Sequence, residues 1–473
     1  MTTTATSVPE RSTTPATSTP WTVPFACLAM LVSYLPFSGV NGILGRIAAA
    51  TGAATRDLQW LAVAFVLPLA VVVLSAGILA SRYGPRRVAR AGLALAVAGS
   101  VLGFGSAEIG GLPGVRLLWS AQAVCGIGAG AVMSSTLALL SATAADARAR
   151  TRAISLWAAA VVAGLGAGPF LAGAVSERTS YAWYFPIVAV VVGAVGWLGR
   201  YAAAPTSAAR PGLDLPGQIT GAAGIAGLIT AVIEGGAAGW TSVPSLAGTA
   251  VAVVGLTGFI AVERRSASPL LRPELFASRA FAAAGIAAMS VLFCVVGMVF
   301  VLSLYFSSSG AGDLGTATRL GILFAANAAG SVAAAPLRRR HSPRAVLVTG
   351  LLVAAAGAGS LTGLTATTTL ADLAWRLAVL GAGSGAVMAT CSAVAVESVP
   401  GSLAAIAGAA NNALRQTGAA LGPAVLGAVL TSRLRAGSLF PAAIASTATV
   451  VSVLLAAVAV ATAALLVRRG NAA

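Results

Sequence analysis

Arg415 stands in the middle of an apolar run, in NNALRQTGAALG (411–422), with Asn411, Asn412 and Gln416 around it. Hydrocarbon cannot solvate a guanidinium, so a charge there must face other helices or water. Two roles stay open for it: lining a cavity or gate between helices, or pairing locally as a structural group. Glu234, in IEGGAAGW (233–240), is the acid placed deepest in an apolar zone, near the end of a run. Beside Gly235, Gly236 and Trp240 it fits an interfacial residue, but a carboxylate there also fits a proton carrier or a cation contact. Ser38, Asn41 and Gln122 are smaller polar groups within apolar runs.

Enzyme chemistry finds no footing. The sequence holds no nucleophile–base pair, phosphate-cradling loop or metal-ligand cluster. His341 is the single histidine and lies in a run of arginines, as a solvated loop residue would. The four cysteines (Cys27, Cys125, Cys294, Cys391) sit inside apolar runs without metal spacing and read as inert small core residues. No cofactor is expected.

The elements that must position these groups are membrane spans. Hydrophobic residues make up 58% of the 473 positions and charged ones 9%, too few to cover a soluble surface. Apolar stretches of about 20 residues recur throughout, the length that crosses a bilayer core, and far longer than a barrel strand. Fourteen such spans centre on 22–45, 59–80, 88–107, 115–141, 153–175, 182–203, 215–234, 245–263, 281–307, 319–336, 344–365, 371–396, 404–431 and 440–466. The fold class is therefore an all-α polytopic membrane protein. Residues 1–20 are rich in Thr, Ser and Pro and lack a basic n-region, so the first run reads as a retained helix after a disordered tail.

All 29 basic residues are arginines, and the net charge of +17 would suggest nucleic acid in a soluble chain. Here 20 of the 29 fall in the tails and in loops after even-numbered spans, a bias that fixes topology. Both termini are thus expected in the cytoplasm. GILASRYGPRRVAR (77–90) is one such loop, with Arg82, Arg86, Arg87 and Arg90.

The chain also repeats itself. AVCGIGAGAVM (123–133) returns as AVLGAGSGAVM (378–388), GPFLAGAV (168–175) as GPAVLGAV (422–429), and RYGPRRV (82–88) more faintly as RHSPRAV (340–346). The offsets are 255, 254 and 258 residues, so spans eight apart are equivalent and the halves are parallel repeats. Two parallel six-helix halves around a midplane cavity are the architecture of alternating access. Gly126/Gly130, Gly164/Gly168, Gly381/Gly385 and Gly418/Gly422 are each four apart on repeated spans, a spacing that bares one helix face for close contact. The expected organisation is a tail (1–21), an N-terminal six-helix bundle (22–203), a linker with two extra spans (204–280), a second bundle (281–466) and a short tail (467–473).

These residues resemble the fourteen-helix drug–proton antiporters of the major facilitator superfamily. Gly77, Arg82, Gly84, Arg86 and Arg87 match that superfamily's signature between helices 2 and 3. GLGAGPFLAG (164–173), with Gly164, Gly168, Pro169 and Gly173, is similar to the antiporter signature of helix 5. Gln59-Trp60, LDLPG (213–217), EGGAAGW (234–240), VERRSASPLL (262–271) and NNALRQTGAALG (411–422) are similar to the family as well. The resemblance implies the major facilitator fold: two six-helix bundles plus two extra central helices, 14 transmembrane helices in all. It implies a secondary active transporter of the bacterial cell membrane that exports drugs, antibiotics or secondary metabolites. The expected partners are a small-molecule substrate, the lipid bilayer and protons, with no nucleic acid and no second subunit.

Three departures touch the chemistry. The family's acid in helix 1 is replaced by Pro36 in YLPFSGVN (34–41), the acid of the loop signature by Ser81, and the helix 4 arginine by Gln122. The acid–base pair usually used for proton handling is therefore missing. An uncoupled facilitator or importer, and a non-transporting sensor or scaffold, stand as alternatives to the exporter. Topology is testable directly: single cysteines at Ser81 and Ala149 label only from the cytoplasm and one at Ala238 only from outside. Labelling of position 149 from outside overturns the orientation.

Overall fold

A computed structural model describes residues 19–205, 214–266, 273–365, 368–400 and 403–466; most of the two expected tails lies outside this range. Its long helices are α1 (Thr22–Gly42), α2 (Thr55–Tyr83), α3 (Pro85–Ile109), α4 (Gly111–Thr143), α5 (Ala147–Arg178), α6 (Tyr184–Leu198) and α7 (Leu215–Ala238). They continue as α8 (Val243–Glu263), α9 (Arg279–Ser308), α10 (Gly312–Arg340), α11 (Pro343–Ser360), α12 (Leu370–Glu397), α13 (Ala404–Arg435) and α14 (Phe440–Leu465). Short helices at Leu44–Thr51 and Pro273–Ala277 lie between them, and no strand occurs among the described residues.

Thirteen helices are long and apolar enough to cross a membrane among the described residues. The fourteenth expected span is α13, 32 residues long with Arg415 inside it and Arg433 and Arg435 in its last turn. Local chemistry sets the boundaries. Asp146, Asp214, Ser278, Ser342 and Thr369 accept backbone N–H groups at the starts of α5, α7, α9, α11 and α12. Between α2 and α3 the turn rests on Gly84 at φ +90°, followed by Pro85 in the first turn of α3. The second glycine of the signature loop thus has a backbone reason.

The helices assemble as two bundles with the same contact pattern. In the first, α1 packs on α5, α2 on α4, α3 on α4 and α3 on α6; in the second, α9 packs on α13, α10 on α12, α11 on α12 and α11 on α14. Adding eight to each helix number converts one set into the other. The glycines expected at bare helix faces are where backbones meet. A methyl group at Gly126 would strike the Phe65 carbonyl, and one at Gly381 the Leu323 carbonyl. Likewise Gly164 abuts Leu31 and Gly418 abuts Met289. Each pair of neighbours is offset by 258 residues, so the repeat is carried by backbone contacts as well as by letters. Lipid tails give helices no hydrophobic reason to associate, so this close approach supplies much of the packing.

The bundles meet through α5 against α10 and through α2 against α13, again a repeat-related pair. Helices α7 and α8 form a hairpin whose α7 packs on α2 and α13. It therefore leans on both halves at one of their seams.

The repeat is not symmetric in tightness. A methyl group at Gly385 would run into the Asn327 backbone, whereas at Gly130 it would only touch Leu69 O at 3.0 Å. Gly385→Ala should therefore cost about 1–3 kcal/mol of stability by overpacking, and Gly130→Ala less. Melting curves of the purified variants in detergent measure the difference; equal melting points refute the asymmetry.

Candidate functional site

Polar residues from both halves converge where α1, α4, α12 and α13 meet. Gln416 of α13 donates to the Tyr34 hydroxyl of α1 at 3.4 Å, and its amide also lies 3.8 Å from Met133 Sδ of α4. Asn412 approaches the same sulfur at 3.6 Å. Arg415 lies within electrostatic reach of Tyr34 and of Cys391 on α12. The side-chain oxygens of Asn411 and Asn412 and Nε of Arg415 are buried without hydrogen-bond partners. Of the residues singled out in sequence, Asn411, Asn412, Arg415 and Gln416 are thus brought together. Tyr34 and Met133 complete the cluster; neither carries charge, and nothing in their spacing set them apart from core residues.

Ser38, Asn41 and Gln122 serve elsewhere, inside the first half. Pro36 lies inside α1, which runs on as a helix to Gly42, and carbonyls close to it also accept side-chain donors. Gln122 donates to Pro36 O at 3.0 Å, Asn41 to Phe37 O at 2.9 Å, and Tyr184 to Leu35 O. Ser38 donates to Tyr34 O and to Gly164 O of α5, both at 3.0 Å. All three predicted residues are buried. Helix 1 and helix 4 remain coupled here, but through an amide and a carbonyl, neither of which titrates.

One end of the molecule, reached by the loops poor in arginine, is sealed between the halves. Arg46 Nε meets Asp313 Oδ2 at 2.8 Å, and Ser176 donates to the same oxygen at 2.6 Å. The backbone N–H of Leu314 donates to Glu177 at 2.8 Å, so a carboxylate stands at the α10 N-terminus, where the helix dipole favours it. Ser303 donates to Asn41 O across the seam, and Gln59 donates to Ala424 O at 3.1 Å. The helix 5 glycines serve both contacts: Gly164 and Gly168 face α1, while Gly173 faces the backbone of Asp313. Gly42 abuts Pro169 of the same signature, at the α1–α5 crossing.

Glu234 belongs to this end, not to the central cluster. It pairs with Arg56 at 3.4 Å and accepts from Trp60 Nε1 at 3.4 Å, tying α7 to the start of α2. A neighbouring pocket of about 410 Å³, bordered by Arg56, Ala237, Thr431 and Arg435, lies outside the seal. Asp313, Arg46 and Ser176 are functional candidates that sequence reasoning passed over. Their only signal was an acid and a base in loops on the same side.

At the arginine-rich end the loop groups bond within their own half. Arg86 donates to Arg200 O and Ala202 O, at 3.2 and 2.9 Å, and Arg338 pairs with Glu397 at 2.6 Å. Arg82 and Arg87 are exposed, and a side chain at Gly77 would meet open space. Ser81 donates to Ile78 O at 2.8 Å. Its hydroxyl is short enough to satisfy itself one turn back. Arg376 folds onto Ser360 O at 2.7 Å, capping α11.

The seal gives a test. Asp313→Asn keeps size but removes the charge, which should move the balance by about 1–2 kcal/mol toward opening at this end. A cysteine at Leu44, in a background without the native cysteines, is fully buried in the sealed form. Its modification by an impermeant thiol reagent should speed up roughly tenfold in Asp313→Asn and in Arg46→Gln; unchanged rates show the pair does not hold the seal.

Known proteins resemble this chain in sequence and in fold. The chain is 31% identical over 412 residues to the multidrug resistance protein Stp of Mycobacterium tuberculosis, covering 86% of this chain and 75% of that protein. It is 29% identical over 379 residues to a methylenomycin A resistance protein of Streptomyces coelicolor, covering 80% and 78%. A crystal structure of the peptide transporter POT with sulfate superposes with a TM-score of 0.64 at 16% identity, covering 94% of this chain and 95% of that one; the likeness shows the shared fold. Residues 26–423 match the Major Facilitator Superfamily, and with two repeat-related six-helix bundles meeting at a polar centre, the chain belongs to that superfamily of membrane transporters.

Proposed function

We propose that this chain is a secondary active exporter of amphipathic small molecules (drugs, antibiotics or secondary metabolites) that works as a monomer by alternating access. The observation that carries the reading is the placement of the polar contacts between the halves. They gather at the arginine-poor end and at the central cluster, while the arginine-rich loops bond within their own halves. If arginine marks the cytoplasm, as the positive-inside rule has it, this form is closed outside and open inside, ready to take cargo from the cell. The resistance proteins among its relatives support export as the direction. In this reading the arginines of 82–87 anchor topology at the bacterial cell membrane, with both termini in the cytoplasm, and they face anionic headgroups.

A second reading, the uncoupled facilitator, draws on one observation. Each described acid lies in a loop or within about a turn of a helix end, so no carboxylate stands at mid-membrane to travel with the cargo. Glu234 and Asp313 are instead each held by an arginine at the arginine-poor end.

Reconstituted vesicles separate the two. A coupled exporter accumulates amphipathic drugs against their gradient only while a pH gradient is imposed; a facilitator merely equilibrates them. Gly168→Leu drives a side chain into Ser38 and Gly39 of α1, and should leave the protein inserted with less than about a tenth of its transport. Full transport by that variant removes the sliding α1–α5 crossing from the mechanism.

A further inference from the structure

Arg415 is a charge in the interior of the bundle that the described protein does not balance. It lies about 17 Å along α13 from Ala404, deep among its neighbours, yet its side chain keeps accessible surface. Depth combined with access is what a residue lining an internal space shows. Its Nε has no partner, and the ionisable groups within reach, Tyr34 and Cys391, are types that are neutral near pH 7. The ion pairs among the described residues engage Arg46, Arg56 and Arg338 instead. Asp57, Asp313 and Asp372 are confined to first turns, and Glu263 and Glu397 end their helices, so none reaches the middle of α13.

In the inward-open reading proposed above, water solvates this guanidinium from the arginine-rich end. When the halves close around cargo, water leaves, and a desolvated charge without a counter-charge penalises the closed form. A cationic cargo would add like charge to the same space. An anionic cargo would supply the missing counter-charge, through the strong hydrogen bonds a guanidinium forms with an oxyanion. The unpartnered oxygens of Asn411 and Asn412 add acceptors beside it, suited to hydroxyl or amide N–H groups on the same molecule.

From this we infer that the cargo is an amphipathic organic anion, a carboxylate or similar oxyanion, and that Arg415 is the residue that binds its acidic group. Asn411 and Asn412 take the neutral donors, and the anion's charge licenses closure over it. The inference rests on the export reading and narrows it to a substrate class.

The test uses the full chain and three probes with one apolar body: pyrenebutyrate, pyrenebutanol and pyrenebutylamine. In detergent, the wild type should bind the acid roughly tenfold or more tightly than the alcohol or the amine. Arg415→Gln should reduce the acid to the level of the alcohol, and Arg415→Lys should keep part of the preference as a point charge. Without ligand, Arg415→Gln should melt no lower than the wild type, because it removes a charge that nothing pairs. Equal or tighter binding of the amine, binding of none of the probes, an acid preference that survives Arg415→Gln, or a clear loss of stability in that variant each overturns the inference. Vesicles keep the two readings apart. Charge-blind export of all three probes would leave the exporter standing without the anion site, while acid-selective binding without export of any probe would do the reverse.

Discussion

Everything in this protein rests on helices touching backbone to backbone at glycine. In a bilayer the lipid is as apolar as the side chains, so helices gain little by burying hydrophobic surface against each other. What holds them is contact density, greatest where Cβ atoms are absent. Gly126 on Phe65, Gly164 on Leu31 and their counterparts Gly381 and Gly418 bring α4 onto α2, α5 onto α1, α12 onto α10 and α13 onto α9. These crossings build each half, and smooth glycine faces also let helices slide, which a rocking mechanism needs. The same residues thus pack the halves and leave smooth faces between them.

Charge obeys the other rule of the membrane, which is to stay at its edges. The acids lie near helix ends or in loops, and their arginine partners lie there too. Ion pairs concentrated at one end become a seal between the halves, because Arg46 and Asp313 come from opposite halves and Ser176 is bound to the same carboxylate. Arg415 breaks the rule. A lone interior cation is a departure that packing alone does not explain, and it sits among the amides and Tyr34 where the two halves share a wall.

At the helix 1 position where the acid is absent, neutral side chains from three helices gather on the backbone. Around Pro36, Gln122 of α4 donates to the Pro36 carbonyl, Tyr184 of α6 to that of Leu35, and Asn41 to that of Phe37. Gln122 in place of an arginine suits that role, because an amide can donate to a carbonyl without bringing an unbalanced charge. The two departures seen in sequence are therefore one structural unit.

The sequence by itself determined the elements and their plan. Span number followed from bilayer thickness, the duplication from recurrent glycine motifs, and an expected sidedness from where the arginines fall, all properties readable over short windows. The site was legible only in part: Asn411, Asn412, Arg415 and Gln416 announced themselves as polar groups in apolar runs. Tertiary structure decided which polar groups meet. Gln416 reaches a hydroxyl 382 residues away, Asp313 pairs with a base 267 residues away, and Ser38, Asn41 and Gln122 turn to backbone carbonyls within the first half. Such partnerships depend on how each helix is rotated about its axis, to within a hydrogen bond's length. Helices apolar on every face carry little periodic signal for that rotation, so only the packed bundle fixes it.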